Sequence, residues 1–238
     1  MRSLGIEKIP SEGMSDYQNG MTERRFSPYS DNGGSVVAIA GEDFVVIASD
    51  TRLSGHGYAI LSRDQPKLFK LSDKTVLGST GCQCDILTFC KVAEMRLKTY
   101  RHTHNKAMST PAAAQMMATM LYHKRFFPYY ISNILGGLDE NGKGCVYSYD
   151  PVGHSEKATY RAGGSAVSLL QPLLDNQVGL MNMENIDKKP ISMENAINII
   201  HDVFISAAER EIHTGDGIHL NIITKDGIQE QRLPLRRD

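Results

Sequence analysis

The sequence predicts an α+β fold in which two antiparallel sheets stack face to face, with paired helices packed outside. Three observations lead there. Strand-like segments alternate with pairs of helix-like segments, in the order strands, two helices, strands, two helices, strands. That order does not fit βαβ winding, in which each parallel strand requires its own crossover. The run FVVIA (residues 44–48) is continuously apolar instead of alternating, as expected of a strand covered on both faces. The helical segments, by contrast, each carry an apolar stripe on one side, which fits an outer layer.

SVVAIA (35–40) and FVVIASD (44–50) bracket the turn Gly41-Glu42-Asp43 and read as a buried hairpin. KLFKL (67–71) and TVLGST (75–80) form a second pair around Ser72-Asp73-Lys74. The period then changes: Ile86, Cys90, Ala93, Leu97 and Tyr100 recur at helical spacing. Thr110-Pro111 predicts a helix start, with Thr110 as cap and Pro111 in the first turn. Its core face is Ala113, Met116, Met117, Met120 and Leu121, so the Met-rich stretch is read as core and not as a partner surface. Strands return at 129–139 and 144–150 around Glu140-Asn141-Gly142, followed by a short apolar helix over 165–174. Ser192 caps a long helix with core face Ala196, Ile199, Ile200, Val203, Phe204 and Ala207. A hairpin about Asp226-Gly227 closes the chain.

The totals narrow the function classes. A chain of 238 residues with 41% hydrophobic and 22% charged residues is ample for one large core. Net charge is −1, so neither nucleic acid nor an anionic membrane is an expected partner. No apolar run approaches the roughly 20 residues of a membrane span. Residues 1–24 are polar, broken by Gly and Pro, and lack the apolar core of a secretory signal; they read as a flexible leader before a single domain over 25–238. Four cysteines in such a chain favour free thiols. Cys82 and Cys84, without a second pair at finger spacing, are weak evidence for a metal. The RHTH run at 101–104 fits the end of a helix, where basic groups complement the dipole.

Two glycines, Gly33 and Gly34, precede the first strand, and SDTR closes the second. With RFSPYSDNGG, AIAGEDF, SRDQPKLFKL, KRFFPYYISNILGGLDENGKG, YDPVG, QPLLDNQVG and DVFISAAERE, taken in order from about Arg25 to the C-terminus, the chain resembles the proteasome β-type subunits. The resemblance implies the four-layer αββα sandwich of the N-terminal-nucleophile hydrolases. Catalytic members cut their own leader after a Gly and expose a threonine, whose hydroxyl attacks while its α-amine acts as base. An aspartate and a lysine support that threonine.

Carried over to this chain, the aspartate matches Asp50 and the lysine Lys67. Counting back sixteen residues from Asp50 gives Gly34, which has no hydroxyl. The supporting serine falls on Gly164, the later aspartate on Glu211 and its partner serine on Thr214. The resemblance therefore implies a non-catalytic subunit with a degenerate site, Asp50 and Lys67 remaining as a structural ion pair. The alternative is an active peptidase using Ser35. Alternation along a strand turns Ser35 away from Lys67 if Gly34 faces it. A free-standing binding module on the same sandwich is a third reading. Asp139 is either a plain turn residue or, as the resemblance implies, a contributor to a neighbouring chymotrypsin-like subunit's pocket. The same resemblance implies no cofactor and no metal. Its implied partners are other β subunits of the ring, the α ring and the opposite β ring; its implied location is cytoplasm and nucleus. It also implies a mature chain starting at Arg25.

Overall fold

A computed structural model describes residues 27–55, 58–180, 183 and 190–237. The expected leader, residues 1–24, and the expected start at Arg25 lie outside them. The strands are β1 (Ser35–Ala40), β2 (Val45–Asp50), β3 (Leu53–Ser54), β4 (Ile60–Ser62), β5 (Leu68–Ser72) and β6 (Thr75–Gly81). Helices α1 (Gln83–His104) and α2 (Thr110–His123) follow, then β7 (Ile131–Leu138), β8 (Gly144–Tyr149), β9 (Ser155–Ala158) and β10 (Tyr160–Gly164). Next come α3 (Val167–Leu174), a π turn (Asp175–Gly179), α4 (Met193–Ala208), β11 (Gly217–Thr224) and β12 (Gly227–Pro234).

Two five-stranded sheets form, ordered β10-β1-β2-β11-β12 and β5-β6-β7-β8-β9, with β3-β4 as a small separate ribbon. Every pairing is antiparallel. Side chains such as Val36, Ile47, Val76 and Ile134 fill the space between the sheets. Leu170 and Leu174 of α3 and Ile200 and Phe204 of α4 cover the first sheet's outer face, while Phe89 of α1 and Met117 and Leu121 of α2 cover the second's. The layers are thus αββα, as the sequence predicts. β2 shows why its run is unbroken: Val46 and Ala48 face the helices, while Val45 and Ile47 face the other sheet.

Local signals hold with small shifts. Ser192 Oγ accepts from Asn195 N and caps α4. Thr110 is the first helical residue and not the cap. Its hydroxyl instead donates to Leu138 O (2.7 Å) and lies 2.8 Å from Thr75 Oγ1. That buried tie to the sheet takes the group that capping would use. The last hairpin turns at Lys225-Asp226, with Gly227 at φ 128° closing it. β3, β4, β9 and β10 escape the sequence pattern. β9 and β10 are edge strands with an exposed or half-covered face, so SEKATYRAGG carries little apolar signal.

Candidate functional site

The entry of β1 sits at one end of the sandwich. Gly34 has φ 89°, a conformation favouring glycine. A Cβ there would lie 2.3 Å from Lys67 Cε and 3.0 Å from Nζ. Gly34 is therefore packed directly on the Lys67 side chain, and the alternation argument holds: Ser35 turns elsewhere. Ser35 is fully buried; its Oγ lies 2.8 Å from Thr214 Oγ1 and accepts from Ala166 N at 3.2 Å.

Lys67 is buried immediately before β5. Its Nζ donates to Asp50 Oδ1 (3.0 Å), Asp50 O (3.2 Å) and Arg52 O (2.6 Å). Asp50 at the end of β2 accepts further from Ser35 N (2.8 Å) and Arg52 N (3.1 Å). Burial pushes the Asp50 carboxyl up and the Lys67 amine down, and their mutual attraction opposes both shifts. All three ammonium protons have acceptors, so the charged pair is well satisfied.

Gly164 of β10 pairs with Ser35 in register. Its φ is 93°, and a Cβ there would meet Gly34 O at 2.1 Å. Ser165 N donates to that same oxygen at 2.9 Å. Glu211 touches this cluster only through its backbone among the described bonds, its O accepting from Thr214 N (3.3 Å). Its Oε1 accepts from His213 N (3.0 Å), closing its own turn, and His213 then packs on Gly33. Of the expected residues, the fold thus gathers Gly34, Asp50, Lys67, Gly164 and Thr214 around β1, with Glu211 at the edge. A cleft of about 560 Å³ opens beside Gly33 and Gly164.

Two features went unforeseen. Arg52 Nε pairs with buried Asp216 Oδ2 (2.9 Å), Arg63 Nη1 reaches Asp216 Oδ1 (2.5 Å), and Arg52 Nη1 donates to Ile212 O (2.9 Å). These bonds tie the loop carrying Glu211 and Thr214 to the end of β2. Arg52 and Asp216 lie within two residues of the expected Asp50 and Thr214, but no local pattern pairs them.

The second feature is the segment preceding Gly34. Asn32 N donates to Gly81 O (3.1 Å), and Ser54 N donates to Asn32 O (3.2 Å). The Asn32 side chain donates to Ser54 O and accepts from Gln83 N, both at 2.9 Å, so it also caps α1. Asn32, two residues before Gly34, is thereby held between β3 and the end of β6.

Outside the site, Asp139 Oδ1 accepts from Asn141 N (2.8 Å) and Lys143 N (2.9 Å), a turn-closing role. Cys82 is buried and Cys84 exposed, each with a free thiol.

A family model described as "Proteasome subunit" matches residues 30–223. The chain belongs to the proteasome subunit family. Within it, its relatives include subunits named beta type-1 and one named beta type-6. The proteasome subunit beta type-1 of Drosophila melanogaster is 58% identical over the full length of both chains. Proteasome subunit beta type-1-B of Carassius auratus is 57% identical, with 94% of this chain and 95% of that one covered. Proteasome subunit beta type-6 of Saccharomyces cerevisiae is 45% identical, with 97% and 99% covered.

Proposed function

We propose that the chain is a non-catalytic subunit of the proteasome core, completing a β ring while neighbouring subunits cut. One observation carries this reading. The position packed on the Lys67–Asp50 pair is Gly34, which has no hydroxyl. The pair and its surroundings are the remnant of a nucleophile site, retained as structure. Ser35, the nearest hydroxyl in sequence, is spent on Thr214 and Ala166 N. The mature chain starts at Arg25 instead of Ser35, which keeps the Asn32 bonds to Gly81, Ser54 and Gln83.

In this reading the partners are the adjoining β subunits, the α ring and the opposite β ring, in cytoplasm and nucleus. Asp139 contributes its charge to the substrate cleft of an adjoining chymotrypsin-like subunit. The substitution Asp139→Asn keeps an acceptor oxygen for the turn and removes only the charge. Altered cleavage preference with normal assembly supports the pocket role; unchanged kinetics across a peptide panel leave Asp139 a turn residue.

Ser35→Ala tests the catalytic alternative. Particles carrying it are expected to assemble and to hydrolyse every peptide class at the wild-type rate. Loss of one class of activity from fully assembled particles would revive a serine nucleophile.

A further inference from the structure

The turn after α2 has no role in the site, yet it presents exposed aromatic surface in a fixed shape. Phe126 is 96% exposed, and Phe127 and Tyr122 are each 65% exposed. Aromatic side chains grouped this way mark binding surfaces more than folding errors, since each removes much apolar area from water when covered.

The turn is rigidly built. Lys124 N, Arg125 N and Phe127 N donate to Leu121 O, Tyr122 O and Lys124 O, each at 3.0 Å. At its far end Tyr130 N donates to Asp85 Oδ2 (2.9 Å). Tyr29, five residues before Gly34, braces one flank. Its ring centroid lies 5.7 Å from that of Phe127 and 5.4 Å from that of Tyr130, and its hydroxyl donates to Pro128 O. That flank is occupied by the chain itself; Phe126 is left projecting, with the Arg125 guanidinium over its ring at 5.4 Å.

Charge selects the occupant. His123, Lys124 and Arg125 are consecutive and exposed, and residues 122–130 contain no acid. A second copy of this turn meeting the first would set basic residues against basic residues. We infer that this turn is a docking knob, with Phe126 seated in an apolar pocket whose acidic rim, on a different proteasome subunit, receives Lys124 and Arg125. This rests on the proposed place of the chain in the particle and names the surface that fixes it there. Aromatic and Arg anchors in one short segment are the composition of an interface hot spot, and the charges would steer and orient docking.

The test uses assembled particles in which position 126 carries a photo-crosslinking phenylalanine analogue. Irradiation should join this chain to one other proteasome subunit, at a peptide containing Asp or Glu beside apolar residues. Phe126→Ala, at a side chain too exposed to support the fold, should lower incorporation roughly tenfold or more in competition with the wild-type chain. Arg125→Glu should lower it too, while Met95→Ala on the exposed face of α1 should not. Crosslinks only to a second copy of this chain, or only to peptides in transit, would overturn the inference, as would equal incorporation of Phe126→Ala. A chain absent from the particle altogether would instead contradict the proposed function.

Discussion

At the residue scale, the site is defined by what each position has no room for. Gly34→Thr adds a hydroxyl, but its Cβ would enter the Lys67 stem and the residue would keep φ 89°. Positive φ at a β-branched residue and overpacking each cost on the order of 1–3 kcal/mol. The variant is therefore expected to gain strain and no activity. Self-cleavage would still be needed to free an amine, and in the proposed reading Gly164 and Glu211 stand where the family's supports would be. Gly164→Ala has even less latitude, because its obstacle is the backbone oxygen of Gly34. We expect about 2 kcal/mol or more of destabilisation, read as loss of incorporation or a lower melting temperature. Asp50→Asn should cost more, about 3–5 kcal/mol, since it leaves the Lys67 ammonium buried without its counter-charge. Equal stability of Asp50→Asn and wild type would mean that the pair is not charged in the folded chain.

At the element scale, two tests concern how strands hold their neighbours. Asn32 joins the segment before β1 to both β3 and the start of α1. Asn32→Ala should cost about 1 kcal/mol, as loss of an N-cap does, and should raise amide exchange at Gln83. Unchanged exchange there would remove Asn32 as the cap. The second test is His219 of β11, buried against the other sheet beside Glu230 (3.7 Å). Burial holds its imidazole below the ordinary value; Glu230 opposes that shift and Arg232 adds to it. The unfolded chain then takes up a proton more readily, so stability is complete above about pH 6.5 and declines as pH falls below it. Histidine hydrogen exchange read by mass spectrometry should find His219 titrating low, and lower still in Glu230→Gln. An ordinary titration would contradict its burial.

The elements also show how far the sequence was legible. Helices α1 to α4, and the strands β1, β2, β5 to β8, β11 and β12, followed from period and turn chemistry, because their apolar faces meet a core. β10 did not, although it lies directly against Ser35. Its sequence YRAGG holds one buried apolar side chain, Ala162, and takes its order from pairing with β1. The site was legible only in part, for a related reason. Asp50 and Lys67 were reached through the resemblance to the family and not through local pattern. The Arg52–Asp216 tie and the Asn32 clamp join residues far apart in sequence, and nothing in local pattern predicts such meetings.

At the scale of the whole molecule, the chain is built for company. Beyond the aromatic turn, Tyr58 and Leu61 at the β3–β4 ribbon are also exposed. Apolar surface of this kind is covered in an assembly and costly in isolation. Expressed alone, the chain is expected to be poorly soluble or to remain in incomplete assemblies; a well-behaved monomer on sizing would favour a free-standing module. Whether the particle's cutting includes this chain is decided by intact mass. Purified particles are treated with a threonine-directed electrophile, and the mass of this subunit is measured. It should be unmodified, with an N-terminus ahead of Gly34, while catalytic neighbours in the same sample carry the adduct. A covalent adduct on this chain, or a mature chain beginning at Ser35, would contradict the non-catalytic reading.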